Sequence, residues 1–149
     1  MSGSNSKYQT PTKSGKRREC DSKGCGHYGA SRGTTLVNGV LQKRLHKGID
    51  FVTQQNEPIL APFSGKVTRH PFAASDMLHK GIEIVNGKEN HQLFYLIPTV
   101  AIGSMVKKGQ IIGYAQNIQG KYGPQMTNHV HHEVKINGVF INPTNLYNI

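Results

Sequence analysis

The sequence predicts one compact, antiparallel, mostly-β domain. Three observations carry that reading. Seventeen glycines and seven prolines among 149 residues demand many turns. Several short segments alternate apolar and polar residues, are rich in β-branched side chains, and end in turn formers. No long segment shows the 3.6-residue period of an amphipathic helix. The length fits a single domain.

The elements follow in chain order. Residues 1–18, "MSGSNSKYQTPTKSGKRR", are polar, basic and rich in Ser, Thr, Gly and Pro. They read as a flexible leader ahead of a domain spanning 19–149. The cluster Lys16, Arg17 and Arg18 reads as a solvated tail, with anchoring to a polyanion as the functional alternative. The leader lacks the apolar stretch of a secretory signal. "GHYGASRGTTLVNGV" reads as a turn-rich loop, and "KGIDFVT" as a strand. In "EPILAPFSGKVTRH", Pro58 and Pro62 bracket a short apolar segment, and Ser64-Gly65 turns the chain into a further strand. "KGIEIVNG" alternates and stops at an Asn-Gly turn. "HQLFYLIPTV" is an apolar strand halted by Pro98, and "IIGYA" is another strand. "NHVHHEVKINGVFINP" reads as a hairpin about Asn137-Gly138, a type I′ pair. No run of 18 apolar residues exists, so no membrane-spanning helix is expected.

A formal charge of +10 favours polyanionic partners: nucleic acid, anionic lipid, sulfated glycan or the bacterial wall. Nucleic acid ranks last, because no basic-plus-aromatic module is present. Cys20 and Cys25 bound a small loop containing Gly24. A disulfide suits that loop and an oxidising compartment, and two free thiols are the alternative. A zinc knuckle is disfavoured, because no second cysteine pair exists.

The chemistry concentrates in "NHVHHEV", residues 128–134. On a strand, His129 and His131 share a face, while His132 points away with Val130. Two imidazoles at i and i+2 converge on one ion or substrate. A zinc site needs three or four ligands. The best complement is "LHKGIDF", where His46 and Asp50 lie four apart and fall on one face of an extended stretch. Gly48 between them leaves room for an ion. His46, Asp50 and His131 then make a two-histidine, one-carboxylate set with an open position for water, the catalytic type of zinc site. His129 sits beside it as general base or transition-state donor. His27, His70, His79 and His91 lack comparable partners and read as surface residues.

These paired motifs resemble the H-x-x-x-D and H-x-H signatures of the M23 (lysostaphin-type) zinc peptidases. "PILAPFSGKV", "VKKGQIIGYAQN" and "EVKINGVFINPTNLY" are similar to further segments of that family, so the resemblance runs from about Cys20 to the C-terminus. It implies a mostly antiparallel β core with zinc in a groove flanked by loops. By position, His46, Asp50 and His131 match its zinc ligands, and His129 its catalytic H-x-H histidine. "ECDSKGCGHYGASRG" is similar to the subgroup of leukocyte cell-derived chemotaxin 2 and its bacterial relatives. That implies a Cys20–Cys25 disulfide. The resemblance also implies a substrate class, the peptide cross-links of bacterial peptidoglycan, and an extracellular or periplasmic location. One departure matters: the family's Tyr-x-His-Leu segment is "LFYLIP" here, with Tyr95 where active enzymes carry a second catalytic histidine. A phenol donates a hydrogen bond to an oxyanion but is a poor base at neutral pH. The chemotaxin subgroup shares this tyrosine and is regarded as lacking peptidase activity. The alternative is therefore a non-catalytic zinc protein that binds a receptor, an anionic glycan or a wall peptide. His91, at an even offset from Tyr95, reads as lying on the same face but about 13 Å away along an extended strand.

Overall fold

The computed structural model describes residues 7–73 and 77–147. Its strands are β1 (Ser31–Val37), β2 (Val40–Leu45), β3 (Gly48–Val52), β4 (Pro58–Leu60), β5 (Gly65–Arg69), β6 (Gly81–Asn86), β7 (Glu89–Phe94), β8 (Leu96–Pro98), β9 (Met105–Val106), β10 (Ile111–Ala115), β11 (His129–Ile136) and β12 (Val139–Ile141). Among the described residues, helix is confined to the single turns α1 (Gln119–Tyr122) and Pro143–Leu146. The mostly-β expectation holds, and the named strand pairs are antiparallel.

The main sheet runs β12-β11-β7-β6-β5-β9, with β3 also on β11. β11 is its centre. One edge pairs with β7; the other pairs with β3 in its first half and β12 in its second. β4, β10 and β8 form a small second sheet. Residues opposite each other across an antiparallel pair share a face. Val130 and His132 of β11 therefore join Phe51, Ile49 and Leu93 on the core side, with Ile82 and Ile84 beyond. His129, His131 and Glu133 face the other way, with Asp50.

Asn137 and Gly138 both adopt positive φ, 55° and 78°, as a type I′ turn requires. At the β6–β7 turn, Asn86 pairs with Glu89, so the turn pair is Gly87-Lys88, shifted by one from the Asn-Gly reading. Gly87 at φ 61° opens that turn, the type II′ arrangement.

Three expectations are corrected. Part of "GHYGASRGTTLVNGV" belongs to a hairpin, β1–β2, turning at Asn38 (φ 50°) and Gly39 (φ 80°). Its strands bury no face, and Leu36, Val37, Val40 and Leu41 stand exposed at the tip. Alternation reports burial, so a hairpin without a buried face does not announce itself that way. Second, residues 7–18 are not a loose leader. Leu60 N–H donates to the Pro11 carbonyl and Val52 N–H to that of Lys16, both at 2.8 Å. Arg18 N–H donates to the Asp50 carbonyl at 2.7 Å, and the Arg18 side chain is buried. The outer edges of β3 and β4 need hydrogen-bond partners, and this segment supplies them. Residues 1–6 lie outside the described part.

Third, His91 is fully buried. A one-way chain of hydrogen bonds satisfies it. Tyr147 O–H donates to His132 Nδ1 (3.3 Å), His132 Nε2–H to His91 Nδ1 (2.8 Å), and His91 Nε2–H to Glu89 (2.8 Å). Burial holds both imidazoles below their ordinary pKa, with Glu89 opposing it at His91. Each ring nitrogen has a partner, which lets two histidines sit among Phe51, Phe63 and Leu93.

Candidate metal centre

Strand register assembles the site. His131 lies directly across from Asp50 on the solvent-facing side of β11 and β3. His46 precedes β3, held by its N–H to the Ala30 carbonyl (2.8 Å). Candidate ligand atoms of His46, Asp50 and His131 all fall within 4.8 Å of one another. His46 Nε2 is 2.9 Å from His131 Nδ1, and Asp50 Oδ1 is 3.1 Å from the first and 2.9 Å from the second.

The outer hydrogen bonds reveal what this triangle is built for. His46 Nδ1 faces the His27 carbonyl at 2.9 Å, so it carries the proton. His131 Nε2 faces Glu133 Oε1 at 3.0 Å and is likewise the donor. In the neutral rings the inner nitrogens are then both acceptors, and Asp50 Oδ1 is a third. Three lone pairs converge, which is stable only around a cation. Donor atoms about 3 Å apart all lie 2.0–2.2 Å from one point off their plane, the ligand distance of zinc. The donor set fits such an ion, and Glu133 and the His27 carbonyl orient the imidazoles behind it.

Without a metal a proton takes that place. Burial opposes the charged ring, but Asp50 and Glu133 outweigh it and raise His131 to about 9. A metal ion binding here must displace this proton. Below pH 9 the metal-free state carries one more proton than the metal-bound state, so apparent affinity rises with pH. An increase of about tenfold per unit between pH 6 and 8 is expected in chelator competition. A flat profile would show that no proton is released.

Gly48 faces Glu133 across the pair. A Cβ there would overlap the His132 carbonyl oxygen and come within 3.1 Å of His131 Cε1. Gly48→Ala is expected to cost about 3 kcal/mol by forcing β3 off β11. Thermal unfolding of the metal-free protein measures this; an unchanged midpoint would contradict it.

His129 lies beside the triangle. Its Nδ1–H donates to the Thr127 carbonyl (2.8 Å), leaving Nε2 as the acceptor, 3.5 Å from Asp50 Oδ2. Burial lowers its pKa, with Asp50 opposing, so the ring is neutral at neutral pH. Tyr95 meets it edge-on, with centroids 5.4 Å apart. Its φ of 75° ends β7 and breaks the alternation. Tyr95 therefore faces the groove while His91 faces the core, which corrects the shared-face reading. The Tyr95 hydroxyl lies 3.0 Å from that of Tyr122. The groove measures about 910 Å³. Lys23, Arg32, Lys43, Arg44 and Lys47 line it, against the carboxylates of Asp50 and Glu133.

Four contributors escaped the sequence reading. Glu133 left a signal, an i+2 carboxylate on the face of His131. The His27 carbonyl, Tyr122 and Arg18 left none, because each arrives through a loop path. Cys20 and Cys25 are bonded to each other. No helix among the described residues is long and apolar enough to cross a membrane.

An antiparallel β domain with a His–Asp–His cluster flooring an open groove, and a neutral histidine beside it, has the build of a metallopeptidase fold. Peptidase family M23 matches residues 44–143, and the chain belongs to that family. Bovine leukocyte cell-derived chemotaxin-2 is 31% identical over 118 residues, 78% of this chain and 71% of that protein. The DD-carboxypeptidase/endopeptidase Mpg of Neisseria meningitidis is 30% identical over 103 residues, 69% of this chain but 23% of that protein. The catalytic domain of the antimicrobial peptidase lysostaphin from Staphylococcus simulans superposes with a TM-score of 0.57 at 25% identity, covering 83% of this chain and 90% of that one.

Proposed function

We propose that this domain is a zinc metalloendopeptidase acting on peptide cross-links of bacterial peptidoglycan, with His46, Asp50 and His131 holding the zinc. The observation that carries the proposal is the convergence of three acceptor atoms on one point at the floor of an open groove. A bound zinc ion would polarise the scissile carbonyl and lower the pKa of water to about 7. His129 Nε2 takes a proton from the attacking water and returns it to the leaving amine. Tyr95 donates a hydrogen bond to the developing oxyanion. The lysines and arginines of the rim draw the domain to an anionic polymer, which suits an extracellular or periplasmic setting.

A second reading rests on Tyr95. Its hydroxyl pairs with that of Tyr122 where a second imidazole would serve as base or donor. In that reading the zinc is structural and the groove binds a receptor, an anionic glycan or a wall peptide. Release of new amino groups from purified peptidoglycan separates the two. The enzyme reading expects release that His129→Ala lowers by 10²–10⁴-fold while zinc content is unchanged. No release from walls of several cross-bridge types would overturn the enzyme reading and favour the binder.

A further inference from the structure

Arg18 lies at the bottom of the groove with its side chain 2% exposed, and no part of the scheme above uses it. Its Nη1 donates to Asp50 Oδ2 at 2.8 Å, while His46 and His131 meet Oδ1; His129 Nε2 at 3.5 Å and Arg32 Nη2 at 3.9 Å also face Oδ2. Arg18 Nε and Nη2 donate to Asp21 at 3.1 and 2.8 Å, and Nη2 also to the Gly24 carbonyl at 3.0 Å. Asp21 and Gly24 sit inside the loop closed by Cys20–Cys25, and they bond to each other through both backbone pairs. Asp21 Oδ2 also accepts from Thr127 N–H at 3.0 Å. The carbonyl of that same Thr127 fixes His129 Nδ1.

We propose that Arg18 is the positioning residue of the metal-binding carboxylate, and that the Cys20–Cys25 loop is the clamp that holds it. The inference rests on the zinc reading of His46, Asp50 and His131, and it is independent of whether the groove cuts or only binds. A carboxylate has two equivalent oxygens and a free torsion. With Oδ2 held by a guanidinium, only Oδ1 is presented to the metal, in one orientation. A lone buried cation so close to a metal dication would repel it. Asp21 neutralises Arg18, so the pair acts through geometry more than through charge. Glu133 and the His27 carbonyl orient the imidazoles, and Arg18 completes the set by orienting the third ligand. The clamp also explains why residues 16–26 run along β3. They bring a small rigid loop to the back of Asp50 and the front of β11 together.

The test measures zinc affinity by chelator competition, and ligand geometry from the visible spectrum of the cobalt-substituted protein. Arg18→Gln is expected to weaken zinc binding 10–100-fold and to alter the cobalt spectrum. Arg18→Lys should recover only part of this, because one ammonium cannot span both carboxylates. The double variant Cys20→Ser with Cys25→Ser keeps every ligand and Arg18, yet should lose affinity by a similar factor. If Arg18→Gln fails to fold, Arg18→Lys and Asp21→Asn decide, with circular dichroism showing which proteins retain their sheet. Wild-type affinity and spectrum in folded Arg18 variants would overturn the proposal. Wild-type affinity in the cysteine double variant would overturn the clamp. Absence of zinc binding by the unmutated chain would instead remove the metal reading on which both rest.

Discussion

Purified protein is expected to carry about one zinc per chain, and His131→Ala to carry none. The effect is large because two ligands cannot close the site. Removing His131 also frees Glu133 and leaves Asp50 and His46 facing a gap. Asp50→Ala should be as complete, with a second consequence that His131→Ala lacks. Asp50 is 1% exposed and holds the buried Arg18 through Oδ2. Breaking a buried ion pair by deleting one partner costs several kcal/mol, but Asp21 still holds the guanidinium. About 2–3 kcal/mol of lost stability in the metal-free protein is therefore expected. Metal analysis after dialysis and denaturant unfolding in excess chelator give the two readings separately. Full zinc occupancy in His131→Ala would remove the proposed site. Unchanged stability in Asp50→Ala would remove the energetic role of the Arg18 pair.

Tyr95→His is expected to raise the rate of peptidoglycan cleavage by about 10²-fold, the usual contribution of a placed general acid or base. The position is suited to the exchange. Tyr95 already faces the groove beside His129, and its φ of 75° is one that histidine tolerates better than most side chains. The imidazole would titrate near neutrality, where the phenol does not. The kcat should carry the gain and KM should stay nearly constant, because the groove lining is otherwise intact. Zinc content should not change. Equal rates for the two proteins would show that Tyr95 does not limit catalysis, and that the phenol serves the site as it stands.

Strand periodicity was enough to divide "NHVHHEV" correctly. His129 and His131 share the groove face, and His132 packs in the core. The spacing of His46 and Asp50 likewise survived, because β3 lies across from β11 in the register that puts Asp50 opposite His131. His91 was misread for the opposite reason. Alternation along β7 does place it on the buried face with Leu93, but a histidine is stable there only because His132 and Glu89 offer a partner to each nitrogen, and that pairing is not local. Tyr95 shows a further limit. An even offset predicts a shared face only while the strand continues, and one residue of positive φ ended it.

By itself the sequence determined the fold class, the family and five of the side chains around the groove, His46, Asp50, Tyr95, His129 and His131. These depend on turn chemistry, alternation and motif spacing, which act over a few residues. Only the tertiary structure decided how the site is held. The acceptor character of the three inner atoms comes from the His27 carbonyl and from Glu133. The orientation of Asp50 comes from Arg18, 32 positions away. The packing of residues 9–18 comes from the outer edges of β3 and β4, which take their hydrogen bonds from that segment. Each is a hydrogen bond between groups whose nearness is set by the path of the whole chain, and no local pattern encodes it.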